Sequence, residues 1–188
     1  MKTTPNLVVK RRSFRKRDPS QQRSQSVKQL KFSKNPYEYF SVASDILVIR
    51  CPKGKKSKAL PYDVLLIQRR YPPHQGAWAL PGGFVDRDED AITAAMRELF
   101  EETGLKAKRF FEFGTFSHPK RDPRGRTLSV CFYTIYKRSL GTPRGGDDAS
   151  HVQWFPINKL PQLAFDHKEM IQRGMKTFFR ELGLAKFS

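Results

Sequence analysis

Cysteine is scarce in this sequence: Cys51 and Cys131 are the only two among 188 residues. Two thiols cannot build a disulfide framework, so a small secreted disulfide scaffold is excluded and a reducing, cytoplasmic setting is expected. No apolar run approaches the roughly 18 residues that a membrane-spanning helix needs, so no membrane partner is expected. The N-terminus has no apolar stretch of the kind a secretory signal carries. The four histidines, His74, His118, His151 and His167, are scattered without zinc-ligand spacing, and none is assigned chemistry. Acid is short as well. Against 36 Lys+Arg stand 18 Asp+Glu, which gives +18 and a pI near 10.2. Such a balance suits polyanions: nucleic acid, anionic lipid or phosphorylated small molecules.

The charge is uneven. Residues 1–36 hold eleven Lys and Arg against the single acid Asp18, a net of +10, and few large apolar side chains. Their Ser/Gln-rich composition (SQQRSQS, residues 20–26) reads as a basic N-terminal arm. A mitochondrial transit peptide shares that composition and is the alternative to a cytoplasmic protein. From residue 37 to 188 the texture changes to that of one folded domain. Phe40–Arg50, Asp63–Arg69, Arg109–Ser117, Thr127–Lys137 and Val152–Phe155 read as strands, from their β-branched and aromatic content. Ala91–Thr103 and Asp166–Leu182 have the 3.6-residue apolar spacing of amphipathic helices. The basic loop around Lys56 and Ser57 only superficially suggests a phosphate-binding loop, because its spaced glycine is missing. Strands mixed with two helices predict an α/β layered domain with a mixed sheet.

The first helix carries the chemistry. Glu98 and Glu102 are four residues apart, and Glu98 and Glu101 three, so all three carboxylates share one face. Like charges at that spacing repel by roughly 0.2–0.5 kcal/mol per pair. They also sit toward the negative end of the helix macrodipole, which Gly104 is expected to terminate. A solvated acidic face is the ordinary reading of such a cluster. A hard cation would turn the same liability into a site, since Mg²⁺ and Mn²⁺ take oxygen ligands.

The wider pattern favours the cation. Gly83, Glu89, Arg97-Glu98-Leu99, Glu101-Glu102 and Gly104-Leu105 fall at the spacing of the Nudix box. Its seven fixed identities, leaving aside the apolar positions Leu99 and Leu105, match by chance on the order of 10⁻⁹–10⁻⁸ times per window at average residue usage. The sequence therefore resembles the Nudix hydrolases, from about residue 37 to 182; the arm resembles no family. The resemblance implies an α/β/α sandwich and hydrolysis of a nucleoside diphosphate linked to a second moiety. It implies Mg²⁺ (or Mn²⁺) held by Glu98, Glu101, Glu102 and the carbonyl of Gly82. Arg97 orients a glutamate, Glu89 is structural, and Leu99 and Leu105 belong to the core. Arg97, Glu98, Glu102 and Asp148 form the expected catalytic set. In relatives a carboxylate of the late loop reaches the metal cluster or acts as general base, and Asp148, then Asp147, match it.

Outside the box, Gly76–Asp86, Ser117–Val130 and Gly146–His167 resemble ADP-ribose pyrophosphatases more than nucleoside triphosphate hydrolases. Arg69, with Arg70 beside it, and Arg121 and Arg124, with Arg126, are candidate phosphate clamps through bidentate guanidinium geometry. Surface arginines on a basic protein are the plain alternative. Trp78 and Phe84 read as core aromatics, with a substrate-facing position as the alternative for either, and Tyr39 or Phe40 as a stacking surface for adenine. The expected activity gives a nucleoside monophosphate and a sugar phosphate. Two alternatives remain. One is a Nudix-fold ADP-ribose sensor coupled to DNA, which would use a further domain beyond Ser188. The other is a hydrolase of capped RNA ends gripped by the arm, but only Phe14 and Phe32 interleave its charges. A homodimer is expected by resemblance, and nucleic acid is the less favoured partner of the arm.

Overall fold

The computed structural model describes residues 39–51, 62–146 and 149–184. The arm, the Lys56–Ser57 loop and the pair Asp147–Asp148 lie outside the described residues. Among the described residues, seven strands form one mixed sheet: β1 (Ser41–Arg50), β2 (Asp63–Arg69), β3 (Trp78–Ala79), β4 (Gly82–Phe84), β5 (Phe111–Phe116), β6 (Thr127–Ile135) and β7 (Ala149–Pro156). Two α-helices among the described residues pack on it, α1 (Ala91–Thr103) and α2 (His167–Glu181).

Strand β1 is the centre. It pairs with β6 in parallel over Ser41–Ile49, and β6 pairs antiparallel with β5. The opposite edge of β1 is divided. Ala43–Asp45 pair with β4, whereas Ile49 and Arg50 pair with β2. The sheet therefore splays between β1 and β2, and β2 takes β7 along one edge and β3 on the other. The box turn lies at that divergence, where Ile46 donates its N–H to the carbonyl of Pro81 at 2.8 Å.

Alternation along β1 builds both cores. Ile46 and Val48 pack with Ala95 and Leu99 of α1, while Leu47 and Ile49 pack with Met170, Met175, Phe178 and Phe179 of α2. All four β1 residues are fully buried, as a strand covered on both faces requires. Each helix covers one face, which is the layered α/β arrangement the sequence predicted.

The long elements fall where apolar periodicity placed them, within two residues at most ends. The exceptions are short or flanked by polar residues. Strands β3 and β4 have two and three residues, too few to show a period, and the Pro81-Gly82-Gly83 segment reads locally as a turn. Strand β7 begins three residues before its apolar stretch because β2 supplies the partner for Ala149. Phe84, expected in the core, is 40% exposed. In β4 it faces away from the sheet interior, and it is covered instead by the guanidinium of Arg124, 4.8 Å from its ring centre.

Candidate active site

Helix α1 starts and stops where its sequence directs. Asp90 caps it, its side chain accepting the Thr93 N–H at 2.8 Å. Gly104 ends it in the left-handed conformation, φ +70°, donating to the carbonyl of Phe100. The late loop closes on the same end. Arg144 and Gly146 donate backbone N–H groups to the carbonyls of Thr103 and Glu102, at 2.9 and 3.1 Å. These amides satisfy carbonyls the helix itself leaves open.

Arg97 knots the acidic face together. Its guanidinium reaches Glu89 at 2.5 Å, Glu98 at 2.7 Å, Glu101 at 3.1 Å and the carbonyl of Phe84 at 3.1 Å. Glu89 also accepts the Asp86 N–H at 3.0 Å, so it ties the box loop to the helix start, the structural role expected of it. Hydrogen bonding from Arg97 holds the Glu89 carboxyl below its ordinary value. The same bond to Glu89 raises Arg97, against its partial burial. Like-charge repulsion along the helix is thus offset by one cation placed at the centre of the carboxylates.

Glu102 is turned inward and is 7% exposed. One oxygen accepts the N–H of Gly82 at 2.9 Å, so the box turn and the helix end are joined through this carboxylate. Glu98 lies directly over Gly83: a Cβ there would overlap its carboxylate. A Cβ on Gly82 would collide with the backbone of Ser44 and Asp45. Two successive glycines therefore let the turn pass between β1 and the helix. Among the described residues, no three metal-ligating side chains already converge on one point. The donor set nevertheless suits a hard cation: Glu98, Glu101 and Glu102 are oxygen ligands on one helix face beside a backbone turn.

The arginines divide. Arg69 and Arg124 gather over the ring of Phe165, near the acidic end of α1. Arg69 donates to the carbonyl of Pro73 at 2.8 Å and lies 5.0 Å from the ring centre of Phe165. Arg124 covers both Phe84 and Phe165. It is braced by Asp122, which accepts from Arg124 side chain and backbone at 2.7–3.2 Å. Burial lowers the pKa of Arg69 and the neighbouring positive charge of Arg124 adds to this, while Glu102, Asp122 and Asp45 oppose it. Arg69 thus senses both the acidic helix end and the second arginine. Arg121 is placed differently. Its side chain is 5% exposed and forks onto Asp166 at 2.8 and 2.9 Å, with Asp45 3.9 Å away. It sits in a buried ion pair, whereas Arg69 and Arg124 lie over aromatic rings. Arg126 lies over the ring of Phe40, and Arg70 is exposed.

Sequence reasoning missed the polar floor beneath the turn. Asp45, Ser129, Arg121, Asp166 and His167 come from four separate segments. Asp45 accepts the Ser129 hydroxyl at 2.5 Å, and His167 Nδ1 accepts the Leu80 N–H at 2.9 Å. No motif spacing could reveal them. The one signal was Asp45 itself, an acid inside an otherwise apolar strand. His167 is buried, which pushes its pKa below the ordinary 6.5, with Arg121 and Arg69 acting in the same direction against Asp45 and Asp166.

That burial has a consequence for stability. The unfolded ring titrates near 6.5, whereas the folded ring resists protonation, so the unfolded chain binds the extra proton as pH falls. Stability should be constant above pH ~6.5 and decline below it, before carboxylates with pKa about 4 begin to matter. Tm followed from pH 7.5 to 5 checks this, and His167→Asn should flatten the slope. An unchanged slope in that variant would place the loss elsewhere.

Comparison with known proteins agrees with this geometry. The NUDIX domain profile matches residues 42–174. The ADP-ribose pyrophosphatase of Methanocaldococcus jannaschii is 44% identical over 113 residues, spanning 60% of this chain and 66% of that protein. The ADPR responsive transcriptional repressor NtrR of Acinetobacter baylyi is 28% identical over 152 residues, covering 76% of this chain and 56% of the repressor. The NUDIX domain of Shewanella oneidensis NrtR, solved with ADP ribose, superimposes with a TM-score of 0.66 at 25% identity, over 79% of this chain and 94% of that one.

Proposed function

Because this chain belongs to the NUDIX domain family, we propose that it is a pyrophosphohydrolase of ADP-ribose or a related nucleoside diphosphate sugar. The products would be a nucleoside monophosphate and a sugar phosphate. The observation that carries the reading is the adjacency of an acidic and a basic group of side chains: Glu102 acts on Arg69, and Arg97 and Arg124 both contact Phe84. On one side stands the carboxylate face of α1, held by Arg97. On the other stand Arg69 and Arg124, backed by Phe84 and Phe165. A diphosphate bearing two flat or cyclic groups needs cations for its negative charge and apolar rings for the groups at its ends, and the carboxylates would serve it by holding a divalent cation. The archaeal relative supports the same substrate class.

The protein's own contribution is positioning and electrostatics. Arg69 and Arg124 would bind phosphate oxygens with guanidinium groups already oriented by Pro73 and Asp122. Glu98, Glu101, Glu102 and the Gly82 carbonyl would hold Mg²⁺ or Mn²⁺, as members of the family generally do. A bound divalent ion supplies charge neutralisation and lowers the pKa of coordinated water. Arg97 would keep Glu98 and Glu101 from swinging away. Asp148 is proposed as the late-loop general base. Its support is that Gly146, two residues earlier, is bonded to the end of α1. Loss of turnover in Asp148→Asn, with metal binding kept, is the check.

A screen of nucleoside diphosphate sugars, dinucleotides and triphosphates with Mg²⁺ and Mn²⁺ tests the proposal, with phosphate released from products by added phosphatase. ADP-ribose should exceed every triphosphate in kcat/KM by at least about tenfold. A triphosphate preference would refute the substrate class. The similarity to the repressor of Acinetobacter baylyi favours one second reading, an ADP-ribose sensor. Tight binding of ADP-ribose with no turnover under any metal would select it.

A further inference from the structure

We propose that His167 is a positioning residue for the box turn, acting through its Nδ1 on the backbone of Leu80. The inference rests on the hydrolase reading for its kinetic consequence and on geometry for everything else.

Leu80 lies between β3 and β4, in the splay of the sheet, and is buried. A buried N–H in such a gap has no strand to receive it and must find another acceptor. His167 is that acceptor, at 2.9 Å, from the first residue of α2 and 87 positions away in sequence. The Leu80 N–H is necessarily the donor, so Nδ1 carries no proton and the neutral ring bears its proton on Nε2. Nε2 faces Asp45 Oδ1 at 3.7 Å, and Asp45 stands opposite Gly82 in the β1–β4 register.

The turn is therefore fixed at three successive residues by three different elements. Leu80 is held by His167 of α2, Pro81 by Ile46 of β1, and Gly82 by Glu102 of α1. Of these anchors Glu102 belongs to the box and Ile46 to the central strand that the turn crosses, whereas His167 comes from a segment far beyond the box in sequence. This last anchor sets where the Gly82 amide meets Glu102, and so where that carboxylate points. On this view His167 touches neither substrate nor metal, yet it sets the geometry of a carboxylate proposed to hold one.

Two amide variants of the full chain separate positioning from mere packing. The side-chain oxygen of His167→Asn sits where Nδ1 was, so the Leu80 bond can be kept. The longer His167→Gln places its oxygen near the Nε2 position, where it cannot accept from Leu80. With ADP-ribose and Mg²⁺, His167→Gln should lose about 10²-fold in kcat, the scale of an ångström-sized misplacement. KM should move less than about threefold, and His167→Asn should retain most turnover. Amide hydrogen exchange gives a readout independent of activity: Leu80 and Gly82 should lose protection in His167→Gln and keep it in His167→Asn. Equal behaviour of the two variants, including equal loss of fold, would overturn the proposal, as would the reverse order. If the parent protein hydrolyses no nucleoside diphosphate sugar, the hydrolase reading fails by itself, and the exchange comparison still decides the role of His167.

Discussion

Glu98→Gln and Glu102→Gln should each lower kcat on the best nucleotide sugar by about 10²–10³-fold, the usual scale for loss of one preorganised electrostatic group. Each change deletes a charge and keeps the volume. The two residues differ only in which bonds the change touches. Glu98 is bonded to Arg97, so the amide gives up an ion pair but also removes repulsion from Glu101 and Glu102. Arg97 keeps Glu89 in either case. Glu102 is buried and accepts the Gly82 N–H, a bond that an amide oxygen can still accept. Both variants should therefore melt within a few degrees of the parent in chelator. Near-normal turnover in both, measured with saturating Mg²⁺, would sink the assignment of this face as the catalytic one.

The neighbouring glycines should fail in opposite ways. Gly82→Ala should destabilise the protein by about 3 kcal/mol, at the upper end of overpacking costs. Its φ of +153° disfavours a side chain, and the new methyl would press on the backbone of Ser44 and Asp45, which sit in the central strand and cannot yield. Gly83→Ala meets only the tip of the Glu98 side chain, which can rotate aside. Its stability should change by less than about 1 kcal/mol, while kcat falls because Glu98 is displaced from its place over the turn. Thermal melts paired with single-substrate kinetics distinguish the two outcomes. A Gly83→Ala protein with normal kcat would show that the position of Glu98 over the turn does not matter.

These contrasts rest on information that sequence spacing does not contain. The box fixes which carboxylates share a helix face, because a 3.6-residue period relates positions within one continuous element. Apolar spacing, β-branched content and the terminating Gly104 likewise act over a few neighbours, so both helices and the long strands were legible. The same is true of Arg97, whose partners Glu98 and Glu101 lie within four residues.

The rest required the chain to fold. Arg69, Arg121 and Arg124 look alike in sequence, being arginines in or beside loops of a basic chain. Tertiary structure separates them: Asp166 draws Arg121 into a buried ion pair, while Pro73 and Asp122 hold Arg69 and Arg124 over the ring of Phe165. Phe84 read as core because it is aromatic and adjoins glycines, yet a three-residue strand leaves its ring outward under Arg124. His167 read as an isolated histidine, since its partner Leu80 lies 87 residues away. Local periodicity and spacing are enough for both helices, the long strands, the family and the acidic face of α1. Which arginines gather beside that face, and which buried groups hold the box turn, depends on bonds between distant segments, and only the packed sheet brings those segments within reach.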